Sequence, residues 1–150
     1  MSMAEQMRRM KALYLGFEVT FNGGWRVVWE GNVRPLSKTY RLRVSLIQKE
    51  QLGEISIGPW CPQVWLVNPN LQLSTDRAPG VQVPHIYINA FDPMWSGLCL
   101  FDPATDEWTR DMAVAETTIP WAIDWLTAYE GWLATGQWTG GGRDHGVALK

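Results

Sequence analysis

From Phe17 to Leu46 apolar side chains recur at every second position, and this run restricts the possible folds more than any other stretch. Phe17, Val19 and Phe21 alternate with polar residues, Asn22-Gly23-Gly24 supplies turn chemistry, Trp25, Val27 and Trp29 continue the alternation, and Glu30-Gly31-Asn32 turns again. After Pro35, Tyr40, Leu42, Val44 and Leu46 alternate with Thr39, Arg41, Arg43 and Ser45. A period of two places the apolar set on one face, so the run predicts three antiparallel strands with one face that must be covered.

Residues Ala4 to Leu15 are suited to supply that cover. Met7, Met10 and Tyr14 fall at helical spacing, Arg8, Arg9 and Lys11 lie mostly on the other side, and Gly16 offers a stop. The wholly apolar Val64-Trp65-Leu66-Val67 predicts a fourth strand, ended by Asn68-Pro69-Asn70. A second helix is expected to open at Thr117-Thr118-Ile119-Pro120 and to end at Gly136. Within it Trp121, Trp125, Tyr129 and Trp132, with Leu126 and Leu133 beside them, form a broad aromatic face. Most of the ten tryptophans sit at strand or helix spacing, which predicts core packing rather than a sugar-binding platform. The expected class is α+β, and 150 residues suit one domain spanning the chain, with 141–150 a flexible tail.

Charge and cysteine usage narrow the function. A net charge of -2 gives no electrostatic footprint for nucleic acid, and Arg8, Arg9 and Lys11 read as a solvated helix face. No window approaches the ~18 to 20 apolar residues of a membrane span, and the start MSMAEQMRRM lacks an apolar signal segment, so a cytoplasmic protein is expected. The two cysteines, Cys61 and Cys99, should then be thiols. Cys61, between Trp60 and Pro62, reads as a small buried hydrophobe. A zinc site built from Cys61, Cys99, His85 and His145 lacks the closely spaced ligand pairs such sites use, so neither metal nor cofactor is expected. Gly140-Gly141-Gly142 lacks the strand and the Lys-Ser/Thr of a phosphate loop and reads as a hinge.

Between Leu71 and Asp111, Pro79-Gly80, Pro84, Asp92-Pro93 and Asp102-Pro103 break any period, which predicts a long irregular segment of the kind that tends to carry function. Cys99 lies inside it, two residues after Gly97 and between Leu98 and Leu100. A cysteine nucleophile needs access, and either a depressed pKa or a substrate already activated enough for a neutral thiol. On composition alone, a lone cysteine in apolar company is more often inert.

The order of elements changes that balance. Helix, four-strand meander, irregular flap with one cysteine, then helix: this order resembles the ubiquitin-conjugating enzyme (E2) fold over residues Ala4 to Leu133. Pro62-Gln63-Val64-Trp65-Leu66 looks like that family's proline-led fourth strand. Where the family has a His-Pro-Asn run, a Gly-x-Ile-Cys-Leu segment and a tryptophan, this chain has His85, Gly97-Leu98-Cys99-Leu100 and Trp108 in the same order. Pro84-His85-Ile86-Tyr87 replaces His-Pro-Asn, so the asparagine's role falls by chemistry to Asn89 or Tyr87, and the family's last two helices have no counterpart. Pro120-Trp121, Trp125-Leu126, Tyr129-Glu130 and the Gly136-x-Trp138-x-Gly140 run with His145 look like the bacterial E2-like proteins of cyclic-oligonucleotide-based antiphage signalling (CBASS) operons.

That resemblance implies a transferase. The C-terminal carboxylate of a cGAS-like nucleotidyltransferase would be joined to Cys99 as a thioester and passed to an amine, priming antiviral defence. Activation would come from a separate enzyme or from the partner itself. Backbone N–H groups of 97–101, or Asn89, would serve the oxyanion, Asp102 or Asp106 would take the amine's proton, His85 would pin the flap and His145 would reach the site from the tail. The competing readings are a catalytically silent adaptor of the same fold, binding the nucleotidyltransferase or a ubiquitin-like tail, and a plain thiol-dependent hydrolase.

Overall fold

The computed structural model describes residues 1–48, 61–102 and 105–139. In chain order these form α1 (Met3–Leu13), β1 (Glu18–Asn22), β2 (Arg26–Val33), β3 (Tyr40–Ile47), β4 (Gln63–Asn68), β5 (Ile86–Tyr87), a single 3-10 turn (Pro93–Trp95), β6 (Gly97–Leu98) and α2 (Thr118–Thr135). The class is α+β. The strands make one antiparallel sheet in the order β1-β2-β3-β4-β6-β5.

The alternation of β2 and β3 works as the sequence predicts. Val27, Trp29, Tyr40, Leu42, Val44 and Leu46 point into the core and meet Val64 and Leu66 of β4, while Glu30, Arg41 and Arg43 stay on the outer face. From α2 the core receives Ile119, Ala122, Trp125, Leu126, Tyr129 and Trp132, with Trp121 and Leu133 only half-buried. This helix ends at Gly136, which adopts φ 79° and donates its N–H to the Trp132 carbonyl at 2.7 Å. Any side chain there would also collide with the Arg77 backbone. Thr117 stands at the N-cap but makes no side-chain cap; its hydroxyl instead donates to the Ala113 carbonyl and accepts from Trp108 Nε1.

Around α1, Met10 is buried and Gln6 ties the helix down. Gln6 Nε2 donates to the Met112 carbonyl and its Oε1 accepts from the Val114 N–H, both at 2.9 Å. Among the described residues no helix is long and apolar enough to cross a membrane.

Two expectations need correcting. The sheet has six strands, not four: the segment expected to be irregular contributes β5 and β6, each only two residues long and so too short to show any period. And β1 is exposed throughout, with Val19 and Phe21 half in solvent, because it is an edge strand whose register shifts between those two residues.

Candidate active site

The site is built where β4, β6 and β5 lie side by side. Glu30 faces Arg43, Arg43 faces Trp65, Trp65 faces Gly97 and Gly97 faces Tyr87, one straight row running across the outer face of the sheet. Glu30 holds Arg41 at 3.1 Å and Arg43 at 2.9 Å, and the Arg43 guanidinium lies 4.6 Å from the centre of the Trp95 ring. Because residue 97 has no side chain, the row is hollow between Trp65 and Tyr87; a Cβ there would come no nearer than 3.9 Å to its neighbours. The hollow opens into an apolar cleft of about 460 Å³, walled by Trp65, Tyr87, Trp95 and Phe101 and reaching Cys61 and Asn89.

Cys99 does not itself line this cleft, but Leu98 and Leu100 on either side of it do. The β5–β6 ladder continues one residue past β6, with the Cys99 N–H donating to the His85 carbonyl at 3.0 Å. Alternation along the strand then puts Cys99 on the outer face with Gly97, while Leu98 and Leu100 turn into the core. Gly97 is therefore a strand residue that leaves space. The thiol is fully buried, at 0% exposure. That burial, chiefly, pushes its pKa up to about 11; the nearby Tyr87 hydroxyl pulls the other way, and the Asp102 and Glu107 carboxylates raise it further, while the thiol itself donates to the Phe101 carbonyl at 3.9 Å. The expectation of an accessible loop cysteine is corrected here: pairing with β5 draws Cys99 into the sheet and packing covers it.

His85 acts through its backbone. At φ 54° it occupies the left-handed region, costly for a non-glycine residue, and its carbonyl accepts both the Cys99 N–H and Trp125 Nε1, the latter at 2.8 Å. Its ring packs 5.5 Å from Trp138, which in turn lies against Trp125 at 5.1 Å. The bond to His85 also commits the Cys99 N–H, removing one of the backbone donors expected for an oxyanion. Asn89 uses its Oδ1 to accept from the Phe91 and Asp92 N–H groups at 2.9 and 3.1 Å, so its Nδ2 is the end of the carboxamide left facing away from the turn. Tyr87 is 43% exposed, lines the cleft and has its ionisation held well above the ordinary tyrosine range, first by burial of its hydroxyl and then by Cys99.

Asp102 is close enough for its charge to act on both Cys99 and Tyr87, whereas Asp106 is exposed. His145 lies outside the described residues, as does the Gly140–Gly142 run. Cys61, read from sequence as a core residue, is half-buried and faces the cleft. Trp65 and Trp95 are the walls that sequence reasoning missed. The outward position of Trp65 in a wholly apolar strand was the available signal; Trp95 had none. Among the described residues no group of three or more His, Cys, Asp or Glu could hold a metal ion.

The model of one protein family, described as the type II CBASS E2 protein, matches residues 6–146, and the chain belongs to that family. No curated protein matches it.

Proposed function

We propose that this member of the type II CBASS E2 family is an acyl carrier built as one ubiquitin-conjugating-enzyme-like domain, with the segment around Cys99 as its active-site flap. Cys99 forms a thioester with the C-terminal carboxylate of a cGAS-like nucleotidyltransferase and passes the acyl group to an amine in the bacterial cytoplasm, priming antiphage signalling. The observation that carries this reading is that Cys99, one residue past β6 and paired to His85, is flanked by residues lining an apolar cleft of about 460 Å³, a size suited to an extended peptide end.

The electrostatics favour transfer over hydrolysis of an unactivated amide. A thiol with a pKa of about 11 is thiolate in only about one molecule in ten thousand at neutral pH. Such a group suits a carbonyl that arrives already activated, by a separate enzyme or by the partner itself. The protein's part is then positioning: the cleft holds the tail, Asn89 Nδ2 serves the oxyanion, and the Asp102 carboxylate accepts the amine's proton.

Complete burial of Cys99 favours one rival, a silent adaptor that binds the same tail without chemistry. Incubation with the nucleotidyltransferase and its activating system, followed by electrophoresis with and without reductant, separates the two. The acyl-carrier reading expects a thiol-sensitive adduct that Cys99→Ala abolishes together with defence. An adduct-free mixture, with Cys99→Ala fully protective, supports the adaptor.

A further inference from the structure

We propose that Tyr87 is a catalytic residue, its phenolic O–H donating to the Cys99 sulfur whenever that sulfur carries negative charge. The purpose of this contact rests on the acyl-carrier reading above; its geometry does not. Tyr87 stands directly opposite Gly97, and Cys99 follows two residues later on the same face. That makes Cys99 the diagonal cross-strand neighbour of Tyr87, at the ~7–8 Å backbone separation that an aromatic side chain can span. Since Gly97 presents no side chain, nothing on the opposed position keeps the Tyr87 ring from leaning toward the thiol.

Access points the same way. The residues flanking Cys99, Leu98 and Leu100, reach the cleft, as does Tyr87, while Cys99 itself is fully covered. Tyr87 thus both lines the open cleft and acts on the sulfur. The titratable groups acting on that sulfur are Tyr87 from β5 and Asp102 and Glu107 from the segment after β6, and the thiol donates to the Phe101 carbonyl at 3.9 Å; Cys61, ahead of β4, acts on the Tyr87 phenol, and His85 meets the Cys99 N–H through its carbonyl. Asp102, Glu107 and burial all oppose a thiolate. Tyr87 is the group among them that favours one.

Two steps place negative charge on sulfur. In loading, the Cys99 sulfur attacks an activated acyl carbon, such as that of a mixed phosphate anhydride. The thiol proton passes to an oxygen of the phosphate as sulfur attacks, the C–S bond forms, and the bond from the acyl carbon to the phosphate breaks with its electron pair leaving on the phosphate. In transfer, the amine nitrogen forms the new C–N bond, the C–S bond breaks, sulfur leaves with the electron pair and the amine's proton passes to Asp102. Tyr87 donates its hydrogen bond at the start of the first step and the end of the second. It keeps its own proton throughout, because its ionisation is held well above the ordinary range.

The test uses the whole protein in a Cys61→Ser background, where Cys99 is the one remaining thiol, and follows iodoacetamide alkylation from about pH 7 to 11. Tyr87→Phe is expected to slow alkylation about tenfold near neutral pH and to raise the apparent thiol pKa by about one unit, with the gap narrowing to about fivefold at about pH 11. A fluorinated tyrosine at position 87, a more acidic donor, should move the profile the opposite way and serves if the Phe variant folds poorly. Coincident profiles for all three, or faster alkylation of Tyr87→Phe at every pH, would overturn the proposal and leave Tyr87 as a mere cover. Single-turnover adduct formation provides the second readout. A normal adduct with coincident alkylation profiles defeats this proposal alone; a shifted profile with no adduct from any acyl donor defeats the acyl-carrier reading, and the catalytic role with it.

Discussion

The two ends of the sheet are built on opposite terms. At one end β1 and β2 make a long hairpin with turn residues and alternating side chains, yet β1 buries nothing and its Phe21 rests on Trp25 at 6.4 Å, both partly in solvent. At the other end β6 and β5 have two residues each, yet they hold a fully buried thiol. The difference is what lies behind each strand. Ile86 and Leu98 join the core cluster that holds the aromatic face of α2, and Trp125 reaches through to the His85 carbonyl, whereas β1 is an edge strand whose residues all stay exposed. A strand's burial is decided by its cover more than by its own length.

The sharpest way to break this contrast is to remove the cover at the site end. Trp125→Ala deletes a fully buried indole that stacks on Tyr129 at 5.2 Å, packs against Trp138 and donates to His85. It should cost about 3–5 kcal/mol in denaturant unfolding and should expose Cys99 to alkylation before global unfolding. Unchanged protection of Cys99 would mean that the short strands hold together without α2.

Filling the hollow should change the site and spare the fold. In Gly97→Val the Cβ meets only ordinary contacts at 3.9 Å, but the branched side chain enters the cleft between Trp65 and Tyr87. Adduct formation is expected to fall about tenfold, equivalent to about 1.4 kcal/mol, with the melting temperature nearly unchanged. A normal rate would show that the acyl tail does not pass over residue 97.

The smallest effect belongs to the hairpin end. Val19→Thr changes a half-exposed edge residue to one of similar shape and β-propensity, so its cost should stay within about 0.5 kcal/mol. A larger loss, measured in the same denaturant titration, would reveal cover on β1.

Legibility in the sequence follows the same division. Tyr40, Leu42, Val44 and Leu46 announce their face because each is two residues from the next, and Trp125, Tyr129 and Trp132 announce theirs by helical spacing. Both signals are local. The position of Cys99 along the chain, between Gly97 and Trp108, was equally readable and, with the order of elements, pointed to the family before any coordinates. The pairing of Trp65 with Gly97 was not, since it joins distant residues through a strand too short to leave a pattern.

What the sequence determined by itself was therefore the α+β class, the faces of the long strands and of α2, the family, and the cysteine to watch. The tertiary structure alone decided that this cysteine is buried, that its N–H is spent on His85, and that Gly97 opens a cleft between Trp65 and Tyr87. The physical reason is that periodicity records which way a side chain points relative to its own backbone. Desolvation, hydrogen-bond partners and a thiol's pKa depend on what other parts of the chain bring to that point in space.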